Sequence, residues 1–431
     1  MAKTPKKRQW TVMVYLAGDN NLDSAGVVDL GEMKRVGSND RITVVAQFDR
    51  SGAKVATRRY FLRKGTPLAK DVVKSLGETD MGDPAVLKDF ATWAITNYPA
   101  EHYMLVIWNH GAGWDDSNLY EGDYFGGATP PVVRKGVVIK KGRAFAAARA
   151  PVRMGTVRAA AKRARRALFG STVESMVTSR AIAFDDQAKD FLDNMELKRV
   201  LEDIQSAVQR KIDIVGFDAC LMSMVEVSYQ IRDSVGVTCG SEEEEPNEGW
   251  PYDAILKELA STPAMTPRQL AGTIVKQYLA SYKANDGVTL AATDLAQIAP
   301  LADAVGALGK ALSSAMSDGP ARSAIIAVRA QVQEYSSPYD EYCDLGDLCD
   351  LLARGVGNPA VGAACGRVRA ALENAVIAAG AKGTAVANSH GISIYFPKKQ
   401  VCRLYDNLDF AKTNAWASFV KQYTDGVSRR A

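Results

Sequence analysis

Tyr103-Met-Leu-Val-Ile-Trp108 runs directly into Asn109-His110-Gly111-Ala112-Gly113. An unbroken apolar run of this length, aromatic and β-branched and stopped by glycines, predicts a strand covered on both faces. Outward from it the same kind of run recurs at Trp10 to Gly18, Ile42 to Phe48, Ile212 to Phe217, Val235 to Cys239 and Val288 to Ala292. Helical patterns lie between these runs, at Asp83 to Thr96, Glu196 to Gln209 and Leu221 to Ile231. Strands alternating with helices predict an α/β fold whose central sheet is largely parallel, with helices on each side. After about Pro300 the chain turns Ala-rich and helical, then returns to strand at Gly391 to Pro397. This predicts a smaller helical lobe that adds a closing strand or two to the same sheet.

The 431 residues, 47% apolar and 24% charged, exclude global disorder, collagen and a disulfide miniprotein. No apolar run has the 18 or so residues that a membrane span needs, and the basic N-terminus is followed by too short an apolar stretch for a secretory signal. The six cysteines include no C-x-x-C pair. Reduced thiols in the cytoplasm are the expectation, and with only three histidines no structural zinc site is expected. The net charge of +4 hides an asymmetry. Between Tyr124 and Thr172 there is no Asp or Glu, against twelve cations: Arg134, Lys135, Lys140, Lys141, Arg143, Arg149, Arg153, Arg158, Lys162, Arg163, Arg165 and Arg166. The rest of the chain carries −8, so the basic block is an insertion of different character.

In an open α/β sheet, reactive groups gather just beyond the carboxyl ends of strands. Two places qualify: Asn109-His110-Gly111 after one strand, and Asp218-Ala219-Cys220 after another. A cysteine in the first turn of a helix starting near Leu221 would feel the positive end of the macrodipole, which favours thiolate. Cys220 is therefore the best nucleophile among the six, against the plainer role of a small buried hydrophobe. His110, whose imidazole titrates near neutral pH, is its candidate acid/base partner, against that of a satisfied loop histidine. His390 and His102 precede their strands and so belong to the opposite end, with structural roles.

The ordered pair of apolar strands ending in Asn-His-Gly and in Asp-Ala-Cys-Leu-Met resembles the clostripain family of cysteine peptidases, in the caspase-like clan. Four further segments carry the likeness: Tyr15-Leu-Ala-Gly-Asp-Asn-Asn-Leu22, Ser241-Glu-Glu-Glu-Glu-Pro-Asn-Glu-Gly-Trp-Pro-Tyr252, Tyr342-Cys-Asp-Leu-Gly-Asp-Leu348 and Gly391-Ile-Ser-Ile-Tyr-Phe-Pro397. The resemblance implies a caspase-like αβα sandwich with a helical C-terminal lobe. It implies that Cys220 attacks the scissile carbonyl, that His110 handles the proton, and that the backbone N–H groups of Gly111 and Cys220 hold the oxyanion. It implies cleavage after Arg or Lys (the P1 residue), with Asp218 as the pocket acid and Asn20 and the stretch Ser241 to Glu245, with Ser241, Glu242 and Glu244 foremost, lining the same pocket. A cationic side chain in a partly dry pocket needs a carboxylate opposite it. The alternative for Asp218 is to cap the helix that follows. For Glu242 to Glu245, a pocket or Ca²⁺ role stands beside that of a solvated acidic face.

His110 and Cys220 are separated by 109 residues, and the excess over the family's spacing is the basic block. Relatives are often zymogens cut between His and Cys, and a loop of Arg and Lys is a substrate for such a pocket. Cleavage within about Arg134 to Arg166, by the enzyme itself or by an upstream protease, is the expected activation step. The organisation expected is a basic tail (1–9), a peptidase core (10–298) interrupted by an activation linker (124–179), and a helical lobe with closing strands (299–431). No cofactor or metal is required for the chemistry, and Ca²⁺ enters only as an option, since no D-x-D-x-D-G loop is present. The expected partners are proteins with exposed Arg or Lys, with no membrane. The competing function is nucleic-acid binding through the basic 134–166 segment, and a third is a catalytically dead scaffold.

Overall fold

The computed structural model describes residues 7–52, 55–114, 182–185, 190–335 and 341–428. In chain order the strands are β1 (Arg8–Gly18), β2 (Ile42–Arg50), β3 (Thr57–Phe61), β4 (Val72–Gly77), β5 (Ala100–Trp108), β6 (Ile182–Asp185), β7 (Asp190–Leu192), β8 (Ile212–Asp218), β9 (Val235–Gly240), β10 (Val288–Asp294), β11 (Glu334–Tyr335), β12 (Tyr342–Asp344), β13 (Val376–Lys382) and β14 (Ser393–Tyr395). Nine of them form one sheet in the order β13-β10-β9-β8-β5-β1-β2-β3-β4. Its middle, β9-β8-β5-β1-β2, is parallel, and both margins are antiparallel. Every apolar run singled out before residue 300 is a strand of this sheet.

Alternate residues of each strand go to opposite faces, and each face is covered. Val12, Val14, Leu16, Val106 and Trp108 lie in a core beneath the helices Asp23–Val36, Tyr252–Ser261 and Pro267–Ser281. Met13, Tyr15, Leu105, Ile107, Val215 and Phe217 lie in a second core beneath Pro84–Asn97 and Asn194–Val208. That second core continues into the helices Ile298–Ala315, Leu345–Gly355, Pro359–Ala375 and Ala415–Ser428, so the C-terminal helices cover the same face. Burial of each such Leu, Ile, Val or Phe contributes about 1.5–3 kcal/mol.

The last third corrects one expectation. Gly391 to Pro397 does not join the main sheet: β14 pairs with β12 in a separate three-stranded sheet, β11-β12-β14. The strand that does close the margin is β13, antiparallel to β10, within the stretch read as helical. Its Ala and Gly content has a steric reason, because a Cβ on Gly380 would lie 2.4 Å from Leu279 Cδ1 of the covering helix.

Candidate active site

β5 and β8 pair in parallel with Trp108 opposite Asp218, and the Asn109 N–H donates to the Asp218 carbonyl at 3.3 Å. Their carboxyl ends are level, so the two loops leave the sheet side by side. Contact is so close at Gly111 that a Cβ there would lie 2.3 Å from the Cys220 carbonyl oxygen and 3.0 Å from its nitrogen. Only glycine fits. His110 and Cys220 therefore line one cavity of about 30 Å³, with Leu22, Trp108, Asp218 and Glu245 in its wall.

Two supports hold these loops from behind. Tyr342 donates its hydroxyl to the Ala112 carbonyl at 2.7 Å, beneath the His110 loop. Behind the Cys220 loop, the Ser393 N–H donates to the Ser223 carbonyl at 2.9 Å, and Ser223 Oγ donates to the Gly391 carbonyl at 2.7 Å. Segments 342–348 and 391–397 are thus buttresses of the site.

The electrostatic expectations for the pair need correction. No helix starts at Leu221: the helix begins at Val225, and Leu221 adopts a left-handed φ of 65° in an intervening turn. Such a conformation is strained for a non-glycine residue. Without the macrodipole, burial and the charges of Glu244 and Glu245 push the Cys220 thiol well above its ordinary range, although the Glu245 N–H points at the sulfur from 3.2 Å. Burial also lowers His110 to about 4 instead of leaving it near neutrality. Both groups are uncharged at rest. The His110 imidazole meets Asn21 Oδ1 at 2.8 Å through Nε2, and an amide oxygen only accepts, so Nε2 carries the proton and Nδ1 is left basic. The sulfur's hydrogen-bond partners are the backbone groups of Glu245, with the carbonyl at 3.8 Å, and the imidazole is not among them.

Carboxyls crowd the other side of the cavity. Asp218 does not cap a helix: it accepts from Tyr252 Oη at 2.7 Å and from the Trp250 N–H at 3.4 Å. Burial raises it to about 6. Glu245 lies fully buried beside it and is raised well above the usual carboxylate range, by burial and by the Asp218 charge. Below them Asp29 accepts from Trp108 Nε1 at 2.7 Å and is raised to about 9 by burial and by Asp218. None of the three carboxyls has a salt-bridge partner among the described residues.

The other pocket candidates do not reach this cavity. Asn20 turns its amide to the Ala17 carbonyl at 3.1 Å and accepts from the Leu22 N–H at 2.8 Å, closing a local turn. Ser241 pairs with Thr289, and Glu242 accepts from the Gly391 N–H at 2.9 Å. Glu244 acts on Cys220 through its charge without lining the cavity. Asn21 and Asp29 were missed, whereas Glu245, the end of the stretch expected to line the pocket, does line the cavity. The acidic run pointed to the neighbourhood of Glu245, while nothing in the sequence distinguishes Asp29 from a polar helix-face residue. The Glu242–Glu245 run does not converge on a metal site; the carboxylates that do converge among the described residues are Asp19, Asp49 and Asp185, outside the cavity. His102 and His390 bond Asp213 and Asp344 at 3.1 and 2.7 Å, as structural residues. The candidate cleavage region, Arg134 to Arg166, lies outside the described residues.

The sequence profile of the clostripain family matches residues 14–123 and 170–423. The chain belongs to the clostripain family. That family is one of cysteine peptidases, and the stretch between the two matched segments, 124–169, coincides with the basic block. Clostripain of Hathewaya histolytica is 33% identical over 149 residues, which make up 26% of this chain and 28% of that relative. The match thus spans well under half of the curated relative's length. A secreted cysteine protease from Bacteroides thetaiotaomicron, solved with an irreversible peptide inhibitor, superposes with a TM-score of 0.61 at 20% identity, covering 96% of this chain and all of that one. An inactive zymogen protease from Parabacteroides distasonis gives 0.60 at 18% identity, covering 95% and 99%. These likenesses establish the fold as that of this family's proteases, which agrees with the caspase-like sandwich expected from the resemblance.

Proposed function

We propose that this clostripain-family peptidase is an endopeptidase that cleaves after Arg or Lys, with Cys220 as nucleophile and His110 as acid/base, and that it is made latent. One observation carries the reading: thiol and imidazole share a cavity whose wall holds the buried carboxyls of Asp218 and Glu245, which have no cationic partner among the described residues. A P1 guanidinium or ammonium would supply the positive charge that these two carboxyls lack, and would favour their ionised forms.

The chemistry follows from the contacts. Sγ attacks the scissile carbonyl carbon as its proton passes to His110 Nδ1, while Asn21 holds Nε2–H. The oxyanion is taken by the backbone N–H groups of Gly111 and Cys220, each such donor contributing about 2.7–4 kcal/mol. The imidazolium protonates the leaving amine as the C–N bond breaks, and water, deprotonated by His110, then releases the acyl group from sulfur.

Latency fits the resting geometry. A space of about 30 Å³ is that of a single water molecule, too little for an arginine side chain, and both reacting groups are neutral. The segment Glu245 to Gly249 must move before a substrate enters. We assign the trigger to cleavage within the basic segment, by the enzyme or by an upstream protease acting in a cascade. The six free cysteines support a reducing, cytoplasmic setting.

Mass spectrometry and a peptidyl-arginine reporter test the reading together. Wild type is expected as two fragments, the N-terminal one ending at an Arg or Lys within 134–166, and as active; Cys220→Ala is expected intact and inactive. Reporter hydrolysis that survives Cys220→Ala would remove the assigned nucleophile. Salt-dependent nucleic-acid retention with no hydrolysis, even after nicking, would replace the peptidase reading of the basic segment.

A further inference from the structure

We propose that Glu242, Asp344 and His390 form a positioning relay for the peptidase site, which holds the Cys220 loop and the Glu245 segment together through Gly391, with the charge on His390 setting how firmly they are held. The proposal deepens the peptidase reading and rests on it for what is positioned. Its members come from segments that carry the family likeness but that the chemistry above leaves unused: Ser241 to Tyr252, Tyr342 to Leu348, and the residue just before Gly391 to Pro397.

Gly391 is where they meet. Its N–H donates to Glu242 Oε2 at 2.9 Å, three residues before Glu245, and its carbonyl accepts from Ser223 Oγ at 2.7 Å, three residues after Cys220. Only glycine serves there: φ is 102°, and a Cβ would lie 2.8 Å from that of Ala379 and 3.1 Å from that of Ala291. A shift of this one residue therefore reaches both walls of the cavity.

The relay sets where Gly391 lies. Asp344, fully buried at the end of β12, accepts from the His390 N–H at 2.6 Å, from His390 Nδ1 at 2.7 Å, from the Asp347 N–H at 2.6 Å and from Tyr335 Oη at 3.4 Å. The second oxygen of Glu242, Oε1, is buried with no N–H or O–H directed at it, and its neighbour is the Asp344 carboxyl. Two carboxyl oxygens hold together only with a proton between them. Burial and the Asp344 charge raise Glu242 well above the usual carboxylate range, which makes it the neutral, donating member.

His390 is the member that meets solvent, with its side chain 29% exposed. Its bond to Asp344 raises it above the ordinary 6.5, against burial and the charge of Arg369. The other groups facing this pair are Asp347 in the first turn of helix Leu345–Gly355, Tyr335 on β11 and Glu242, while Arg369 is itself paired with Asp350 at 3.4 Å. A raised value means that the charged pair is complete below pH 6.5 and weakens as pH rises through the folded-state value.

Two readouts test the relay. In intact Cys220→Ala protein, imidazole NMR follows His390 apart from His102 and His110. It should titrate above 6.5, and adding Asp344→Asn, which keeps the helix cap, should bring it down. The thermal midpoint should fall as pH rises through the His390 value, and with His390→Gln it should fall less. In enzyme cut within 134–166, kcat/KM on the peptidyl-arginine reporter should decline through the same pH; Asp344→Asn should move that decline to lower pH and His390→Gln should remove it. At pH 7 Glu242→Ala should cost at least about tenfold, and Glu242→Gln, which offers Gly391 an acceptor and Asp344 a donor, should recover most of the loss. Glu242→Gln as damaging as Glu242→Ala would make the carboxylate charge the acting feature and overturn the relay. So would a His390 value that is at or below 6.5 or that Asp344→Asn leaves unmoved, and so would a pH profile that His390→Gln leaves unchanged. Absence of hydrolysis by every cut protein would instead sink the peptidase reading, and the intact-chain measurements would still decide the relay.

Discussion

A single methyl group measures how tightly the site is assembled. At position 111 it would sit 2.3 Å from the Cys220 carbonyl oxygen and 2.9 Å from the Ala219 Cβ, both in a loop fixed from behind by β14. Gly111→Ala must therefore push the His110 and Cys220 loops apart. A misplacement of about an ångström in a reacting pair costs on the order of 100-fold in rate, and overpacking of this kind costs about 1–3 kcal/mol of stability. Steady-state kcat/KM on an arginyl reporter, with urea midpoints alongside, checks both. Wild-type values for both would show that the two loops are not held by this contact. His110 and Cys220 were legible in sequence because each follows an apolar strand, and strand ends in such sheets converge. Asn21 and Asp29 were not, because a side chain's direction is set by backbone torsions and packing that one-dimensional patterning does not encode. The apolar run from Leu221 to Ile231 misled for the same reason: it holds a helix, but the strained turn at Leu221 delays the start to Val225.

At the scale of elements, the short motifs that gave the family away are mostly supports. Tyr342 and Ser393 make no chemistry, yet they hold the two reactive loops through backbone contacts. The helix Val225–Ile231 is tied to the same region through Glu226, fully buried, whose Oε1 accepts from the Tyr395 N–H at 3.1 Å and from Tyr405 Oη at 2.9 Å. Burial raises this carboxyl from 4.5 to about 7. A raised folded-state value means that the stability contributed by the protonated form is complete below about pH 4.5 and is lost as pH rises through about 7. Glu226→Gln stays neutral throughout, so urea midpoints of the Cys220→Ala background should fall with pH over this window and those of the double variant should fall less. Above pH 7 the Gln variant should be the more stable, by up to about 3 kcal/mol. Parallel curves for the two proteins would mean that Glu226 is already ionised at neutral pH and takes its charge from hydrogen bonding alone. β13 and β14 show where element-level reading failed. Ala and Gly in β13 match a helix by composition, and it is the antiparallel pairing with β10, distant in sequence, that makes them strand residues.

For the whole molecule, the alternation of apolar runs with helical stretches was sufficient to predict the parallel block, because strands covered on both faces leave few other ways to bury them. The closed state was not predictable, since it depends on how Glu245 to Gly249 lies across Cys220 and Asp218. That closure has a chemical readout. Alkylation needs the thiolate, and in the resting chain burial and neighbouring carboxylates hold Cys220 as the thiol. A chain kept intact by replacing the cations of 134–166 with Ala should react with iodoacetamide at Cys220, at pH 7.5, at least about 100-fold more slowly than a free cysteine. Once the wild-type segment is cut, Glu245 to Gly249, the strap beside the cavity, should be free to move and admit water and a P1 cation, and the rate should rise towards that of an ordinary thiol or beyond it. Peptide mass mapping separates Cys220 from Cys239, Cys343, Cys349 and Cys365, which are buried in this structure and serve as internal controls. If Cys220 in the intact chain already reacts as fast as it does after cutting, the strap is no barrier, and latency must be built from something other than the geometry of this cavity.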